Sequence, residues 1–233
     1  MMAQHKQNLA EFKTYIFDWD GTLSKLSVIY FLNRAINPYM LYRKHRAFKS
    51  TSSADRRDIE KALRNAYTNG HTLRRKQDRF LVSIIDLIHR FSKPHGYPGS
   101  GELLRELKRE GKYVAVFTDG KLERVIMEAT KLRLIRHIDI IVSAQSFGRL
   151  KPDPTGIEAI IKAAHADRSE CLMIGDMLDD IVAARLSKIE VCSVGGGFSS
   201  MGYLAMNNPD FLVSGIKEIL NEFKRPTPIK RNK

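Results

Sequence analysis

The sequence predicts an α/β fold, a doubly wound parallel sheet with an α-helical domain inserted into it, from three observations. Short continuous apolar runs alternate with amphipathic helical stretches between about residues 99 and 223. One further apolar run, at residues 14–18, stands apart near the N-terminus. Residues 24–94, lying between, carry helical spacing and no strand signal.

Taken in chain order, Thr14 to Asp18 (TYIFD) reads as the first buried strand. The stretches SVIYFLNRAINPYMLYRKH, SADRRDIEKALRNAYTNG and TLRRKQDRFLVSIIDLIHRF then read as helices. In the third, Leu73, Phe80, Ile84, Leu87, Ile88 and Phe91 make one apolar face, with Arg74, Arg75 and Arg79 elsewhere. SKPHGYPGSG is a Pro/Gly-rich return linker. SGELLRELKREGK is helical and stops at Gly111; YVAVF is a strand ending at Thr118; LERVIMEATKLRL is helical again. HIDIIVSA, CLMIGD and IEVCSV read as strands, with the helices GIEAIIKAAHA and LDDIVAARLSK between them. FLVSGIKEILNEF closes the pattern with a short strand and a helix. This divides the chain into a Rossmann-like core (residues 1–23 and 95–223), an α-helical insert (24–94) and a basic tail (224–233) expected to be disordered.

Composition bounds the class. The 43% apolar and 28% charged content is that of an ordinary globular protein, and no run of about 18 apolar residues suggests a membrane span. Residues 1–13 are polar and mixed in charge, unlike a secretory leader. Cys171 and Cys192 lie in separate apolar runs and read as buried free thiols in a reducing compartment, so a cytoplasmic location is expected. The net charge of +13 is unevenly spread: residues 24–94 hold 16 Lys/Arg against five Asp/Glu, and residues 224–233 hold five Lys/Arg and no acid. A basic block joined to a near-neutral one suggests two modules with different tasks.

The chemistry gathers at strand ends, outside which open α/β sheets place their ligands. The first strand runs into Asp18, with Asp20 and Gly21 just beyond. The strand YVAVF is followed by Thr118, Asp119 and Gly120, and CLMI by Gly175 and Asp176, with Asp179 and Asp180 close behind. If adjacent, these strands bring at least four carboxylates and a hydroxyl to one edge. Like charges so close need a cation between them, and an all-oxygen set suits Mg²⁺. Each piece alone has an ordinary explanation. Asp18 or Asp20 can be a turn residue before Gly21, and Asp179 and Asp180 can simply favour a helix N-terminus. Thr118 can be a strand-end hydroxyl, and in KPDP (151–154) Asp153 can cap a helix with Pro154 at its first position, leaving Lys151 exposed. Their order along the chain, each at or just beyond a strand end, is what the ordinary explanations miss.

Four motifs, DWDGTL (18–23), VFTDG (116–120), KPDP (151–154) and GDMLDD (175–180), make the chain resemble the haloacid dehalogenase superfamily of aspartate-nucleophile phosphohydrolases. The resemblance runs from about residue 14 to 223 and points to the phosphoglycolate-phosphatase-like subgroup with a small helical cap, here 24–94. It implies Asp18 as the nucleophile that forms an aspartyl-phosphate, and Asp20 as general acid and then general base. Thr118 and Lys151 would hold the phosphoryl oxygens, aided by backbone N–H groups near Trp19 and Asp119. Mg²⁺ would sit among Asp18, the backbone carbonyl of Asp20, and Asp176, with Asp180 assisting. The chain departs from the commonest family pattern at Asp119, where many relatives carry Asn or a small residue. Trp19 occupies a variable position, and its side chain is expected to pack in the core.

The expected function is Mg²⁺-dependent hydrolysis of a small, anionic phosphate monoester. Two alternatives stay open: a phosphomutase-like phosphotransferase, and a nucleic-acid-binding protein using the basic insert and tail, which the intact acidic set disfavours. Arg43, Lys44, Arg74 and Arg75 are candidate substrate contacts from the insert.

Overall fold

The computed structural model describes residues 8–25 and 93–224. The described strands are β1 (Thr14–Phe17), β2 (Ser24–Lys25), β3 (His95–Gly96), β4 (Tyr113–Thr118), β5 (Ile140–Ser143), β6 (Cys171–Gly175), β7 (Glu190–Val194) and β8 (Phe211–Val213). The described helices are α1 (Ser100–Arg109), α2 (Leu122–Lys131), α3 (Thr155–Ala164), α4 (Leu178–Leu186), α5 (Met201–Met206) and α6 (Ile216–Lys224). The helices expected within 24–94, with Arg43, Lys44, Arg74 and Arg75, and the tail beyond Lys224 lie outside the described residues.

Six strands form one sheet in the order β5-β4-β1-β6-β7-β8. Every pairing in it is parallel. The chain passes from β1 to β4 and β5 on one side, then crosses back to β6, β7 and β8 on the other. The strand order therefore reverses at β1, and the crevice beyond its C-terminal end is where such a sheet binds ligands.

Burial on both faces explains why the strands are continuous apolar runs rather than alternating ones. Along β1 successive side chains point to opposite faces. Tyr15 and Phe17 join a core with Leu103, Leu104 and Leu107 of α1 and Ile216, Ile219, Leu220 and Phe223 of α6. Ile16 joins a second core with Ile157 and Ile160 of α3 and Ile181, Ala183 and Ala184 of α4. Tyr15 also donates its hydroxyl to the Leu9 carbonyl at 2.7 Å, which ties down the segment before β1. Cys171 and Cys192 are buried free thiols, on neighbouring strands but in different cores. No helix among the described residues is long and apolar enough to cross a membrane.

The structure adds elements that the sequence pattern does not reveal. β2 and β3 pair antiparallel, Ser24 with Gly96 and Lys25 with His95, so the linker read as irregular contains a strand. Two-residue strands are too short to show any periodicity. The six-residue α5 begins at Ser200, whose hydroxyl accepts a hydrogen bond from the Tyr203 N–H. The helix expected from KPDP starts at Thr155, one residue later than expected, with Pro154 rather than Asp153 at the N-cap position; the Asp153 carboxylate still accepts the Thr155 N–H, at 2.9 Å.

Candidate active site

Asp18 leaves β1 with its N–H still donating to the Ile174 carbonyl of β6 at 2.8 Å. The backbone is therefore fixed by the sheet as far as the carboxylate. That carboxylate is 5% exposed as a residue and accepts a hydrogen bond from Lys151 Nζ at 2.7 Å. The same ammonium reaches Asp180 Oδ1 at 2.7 Å. Burial works against the charge on Lys151, but Asp18, Asp180 and Asp119 outweigh it and hold its pKa well above the ordinary value.

Asp176, fully buried beyond β6, is held by Thr22, whose hydroxyl donates to Oδ1 at 2.9 Å, and by the Phe198 N–H, which donates to Oδ2 at 2.6 Å. Asp180 serves twice. Besides meeting Lys151, it accepts the Met177 N–H at 3.0 Å and so satisfies a backbone donor at the start of α4. The helix-end explanation and the site explanation thus describe one side chain. Gly175 is required by the same packing, because a Cβ there would lie 2.2 Å from Asp180 Oδ2.

Among the described residues, Asp18, Asp176 and Asp180 each offer a carboxylate oxygen, all within 4.8 Å of one another. Burial first, and the neighbouring carboxylates next, push Asp18 well above the usual carboxylate range, against the pull of Lys151. Burial and Asp180 push Asp176 to about 7. Three buried acids around one ammonium make an uncompensated negative site, and carboxylate lone pairs beyond those already bonded are able to receive a cation. An all-oxygen set of this charge fits a hard divalent ion such as Mg²⁺.

The second motif is ordered by its own loop. Thr118 is fully buried, and its Oγ1 accepts the Gly120 N–H at 3.0 Å. The Asp119 side chain turns toward the third motif, accepting the Lys151 N–H at 2.9 Å, while its carbonyl accepts from Gln145 Nε2 at 2.8 Å. Burial raises the Asp119 pKa to about 6, with Lys151 opposing. The unusual acid at this position therefore ties the loop after β4 to the backbone that presents Lys151.

The Asp20 carboxylate has a different set of contacts. It meets Arg124 of α2 in a two-pronged ion pair, Nη1 to Oδ1 at 2.9 Å and Nη2 to Oδ2. Trp19 is completely buried in the core, as expected, but its indole N–H also donates to Glu128 Oε2 at 2.7 Å. Thr22, Arg124, Glu128 and the Phe198 backbone are members of this neighbourhood that sequence reasoning misses. The only trace of the α2 pair is an Arg and a Glu four residues apart, a common surface arrangement.

Gly21 makes the turn between Asp20 and Thr22 possible. Its φ is +93°, and a Cβ would stand 2.4 Å from Asp176 Oδ2 and 2.6 Å from the Phe198 ring. Gly21→Ala is expected to cost about 1–3 kcal/mol from backbone strain and overpacking, read as a lowered urea midpoint. An unchanged midpoint would show that Asp176 and Phe198 yield freely.

The chain belongs to the haloacid dehalogenase-like hydrolase family, whose profile matches residues 15–194. Its particular relatives include the pyrophosphatase PpaX of Bacillus cereus strain B4264, 28% identical over 119 residues, which are 51% of this chain and 55% of that protein. Phosphoglycolate phosphatase 1 of Pseudomonas aeruginosa is 24% identical over 124 residues, 53% of this chain and 46% of that protein. The chain thus spans about half the length of the curated relatives it matches. A haloacid dehalogenase-like family hydrolase from Streptococcus pneumoniae has the same fold, with a TM-score of 0.62 at 20% identity over 92% of this chain and 99% of the other.

Proposed function

We propose that the protein is a Mg²⁺-dependent phosphatase that hydrolyses a small phosphate monoester through an aspartyl-phosphate on Asp18. The observation that carries this reading is the buried Asp18–Asp176–Asp180 cluster facing Lys151 at the topological switch point. Asp18, Asp176 and Asp180, with the backbone carbonyl of Asp20, would hold Mg²⁺, which supplies charge neutralisation around the phosphoryl group. Thr118 and Lys151, with backbone N–H groups near Trp19 and Asp119, would hold the phosphoryl oxygens. An Asp18 oxygen attacks phosphorus in line, and the bond to the leaving oxygen breaks as Asp20 gives that oxygen a proton. Asp20, now a carboxylate, takes a proton from water; the water oxygen bonds to phosphorus and the bond to Asp18 breaks. The reaction returns Asp18 and releases inorganic phosphate.

Residues 1–23 and 95–223 would form the catalytic core, with 24–94 a helical cap that selects the substrate. A surplus of basic residues over 24–94 suits an anionic leaving group. The names of the relatives, pyrophosphatase and phosphoglycolate phosphatase, point to the same small, highly charged class. Buried thiols fit a reducing, cytoplasmic setting. The test is release of inorganic phosphate from 4-nitrophenyl phosphate and from a panel of small phosphate esters, with and without Mg²⁺. Metal-dependent release is expected. Turnover of none of them, or formation of an isomer without net phosphate release, would overturn the reading.

A further inference from the structure

Trp19 and Asp20 are consecutive residues whose side chains are both anchored to one helix, α2. Arg124 Nη1 lies 2.9 Å from Asp20 Oδ1 and 3.2 and 3.3 Å from the two oxygens of Glu128, and Glu128 receives the Trp19 indole N–H. The contacts form a closed chain, from the Asp20 side chain through Arg124 and Glu128 to Trp19, and back along the backbone. The brace is mostly screened from water, the Arg124 side chain being 12% exposed and that of Glu128 5%, while the Asp20 side chain is 21% exposed.

This is not an incidental surface pair, which would contribute little. A two-pronged guanidinium–carboxylate contact fixes both the position and the plane of the carboxylate. Two carboxylates engage Arg124, so its charge is already matched and is not left over for a substrate anion. The backbone on either side of Asp20 is held locally, since the Trp19 carbonyl accepts the Leu23 and Ser24 N–H groups and the Gly21 N–H donates to the Ser24 carbonyl, but none of these bonds fixes the Asp20 side chain.

We propose that Arg124 is a positioning residue for Asp20, itself held by Glu128 and Trp19, so that α2 sets where the Asp20 carboxylate stands when the leaving oxygen departs. The proposal rests on the phosphatase reading given above. Proton transfer in the transition state needs heavy atoms within about 2.6–3.2 Å, and a misplacement of about 1 Å can cost roughly a hundredfold. Losing the brace therefore weakens the proton-dependent step selectively and leaves Asp18, Lys151 and Asp176 in place.

The experiment compares kcat/KM, which reports the step up to enzyme phosphorylation, for two esters of the same shape. The 4-nitrophenoxide of 4-nitrophenyl phosphate leaves without needing a proton, whereas the phenoxide of phenyl phosphate depends on one more strongly. Because Arg124→Met alone strands a buried Glu128, the variants are Arg124→Lys, which keeps the charge but loses the fork, and the double variant Arg124→Met/Glu128→Gln. The near-ultraviolet circular dichroism of Trp19, the sole tryptophan, reports that each is folded. The double variant is expected to lose about 10–100-fold on phenyl phosphate and at least about tenfold less on 4-nitrophenyl phosphate, with Arg124→Lys between it and the wild type. Equal losses on the two esters, or no loss on either, in a folded variant of an active wild type would overturn the positioning role alone. A wild type that hydrolyses neither ester would overturn the phosphatase reading and this role with it.

Discussion

Asp18→Asn is expected to lower phosphate release by at least about 10⁴-fold while leaving the protein as stable as before or more so. The loss would follow from removing the proposed attacking oxygen, since an amide does not form the phosphoryl bond. The stability follows from burial. In the metal-free protein the Asp18 carboxylate is held well above the usual range chiefly by desolvation, with Asp180 and Asp176 adding to the effect. Its charge therefore costs the folded state something that an isosteric amide does not. Lys151 keeps Asp180 as a partner at 2.7 Å, so it is not left stranded. Phosphate release and the thermal midpoint at neutral pH and without metal, measured on the same preparation, check both halves. A folded variant with appreciable activity would remove Asp18 from its role. A midpoint that fell sharply would mean that Asp18 holds the site together rather than straining it.

Mg²⁺ is expected to raise the thermal midpoint by roughly 5–10 °C when present at about 100 times its Kd at pH 7.5, and by almost nothing at pH 5. The pKa of Asp176 is raised from the ordinary 3.8 to about 7, by burial and by Asp180. A carboxyl whose pKa is higher in the folded chain binds its proton more tightly there. Stability from this group is therefore fully present below about pH 4 and declines as the pH rises to about 7. Above that window Asp176 is a buried anion next to Asp180, and a cation relieves it. Below the window the proton already does so and competes with the metal. Asp18, raised in the same direction, adds to the effect. Thermal melts at the two pH values, with and without Mg²⁺, give the result directly. The gain should largely vanish in Asp176→Ala; equal gains at both pH values, or an undiminished gain in that variant, would refute the assignment of these carboxylates.

The sheet was legible because its central strands are buried on both faces and so write themselves as unbroken apolar runs, TYIF and CLMI being the clearest. The gathering of Asp18, Asp176 and Asp180 was legible for a different reason, whereas Lys151, eight residues past the end of β5, was placed beside them only by the family resemblance. In a parallel sheet all carboxyl ends lie on one edge, so residues at strand ends meet whenever their strands are neighbours. What could not be read were contacts that depend on side-chain reach from a helix. Arg124 and Asp20 are 104 positions apart, and no strand register links them. The hold of Thr22 and Phe198 on Asp176 is equally silent, since a Thr after a glycine and a backbone N–H after a Gly-rich turn carry no periodic signal. Asp119 is intermediate: its identity was visible, but its engagement with the Lys151 backbone depends on how two loops pack.

The pairing of β2 with β3 has a consequence for how this fold can diversify. Strands in a hydrogen-bonded pair lie about 5 Å apart, so the chain departs at Lys25 and returns at His95 through one narrow gate. Whatever lies between them, 69 residues here, is a closed loop from the sheet's point of view. The entropy of closing such a loop grows only logarithmically, by about 0.6 kcal/mol for each doubling of its length. The sheet is thus nearly indifferent to the length of what is inserted between β2 and β3, so insertions of very different size are compatible with one and the same strand arrangement.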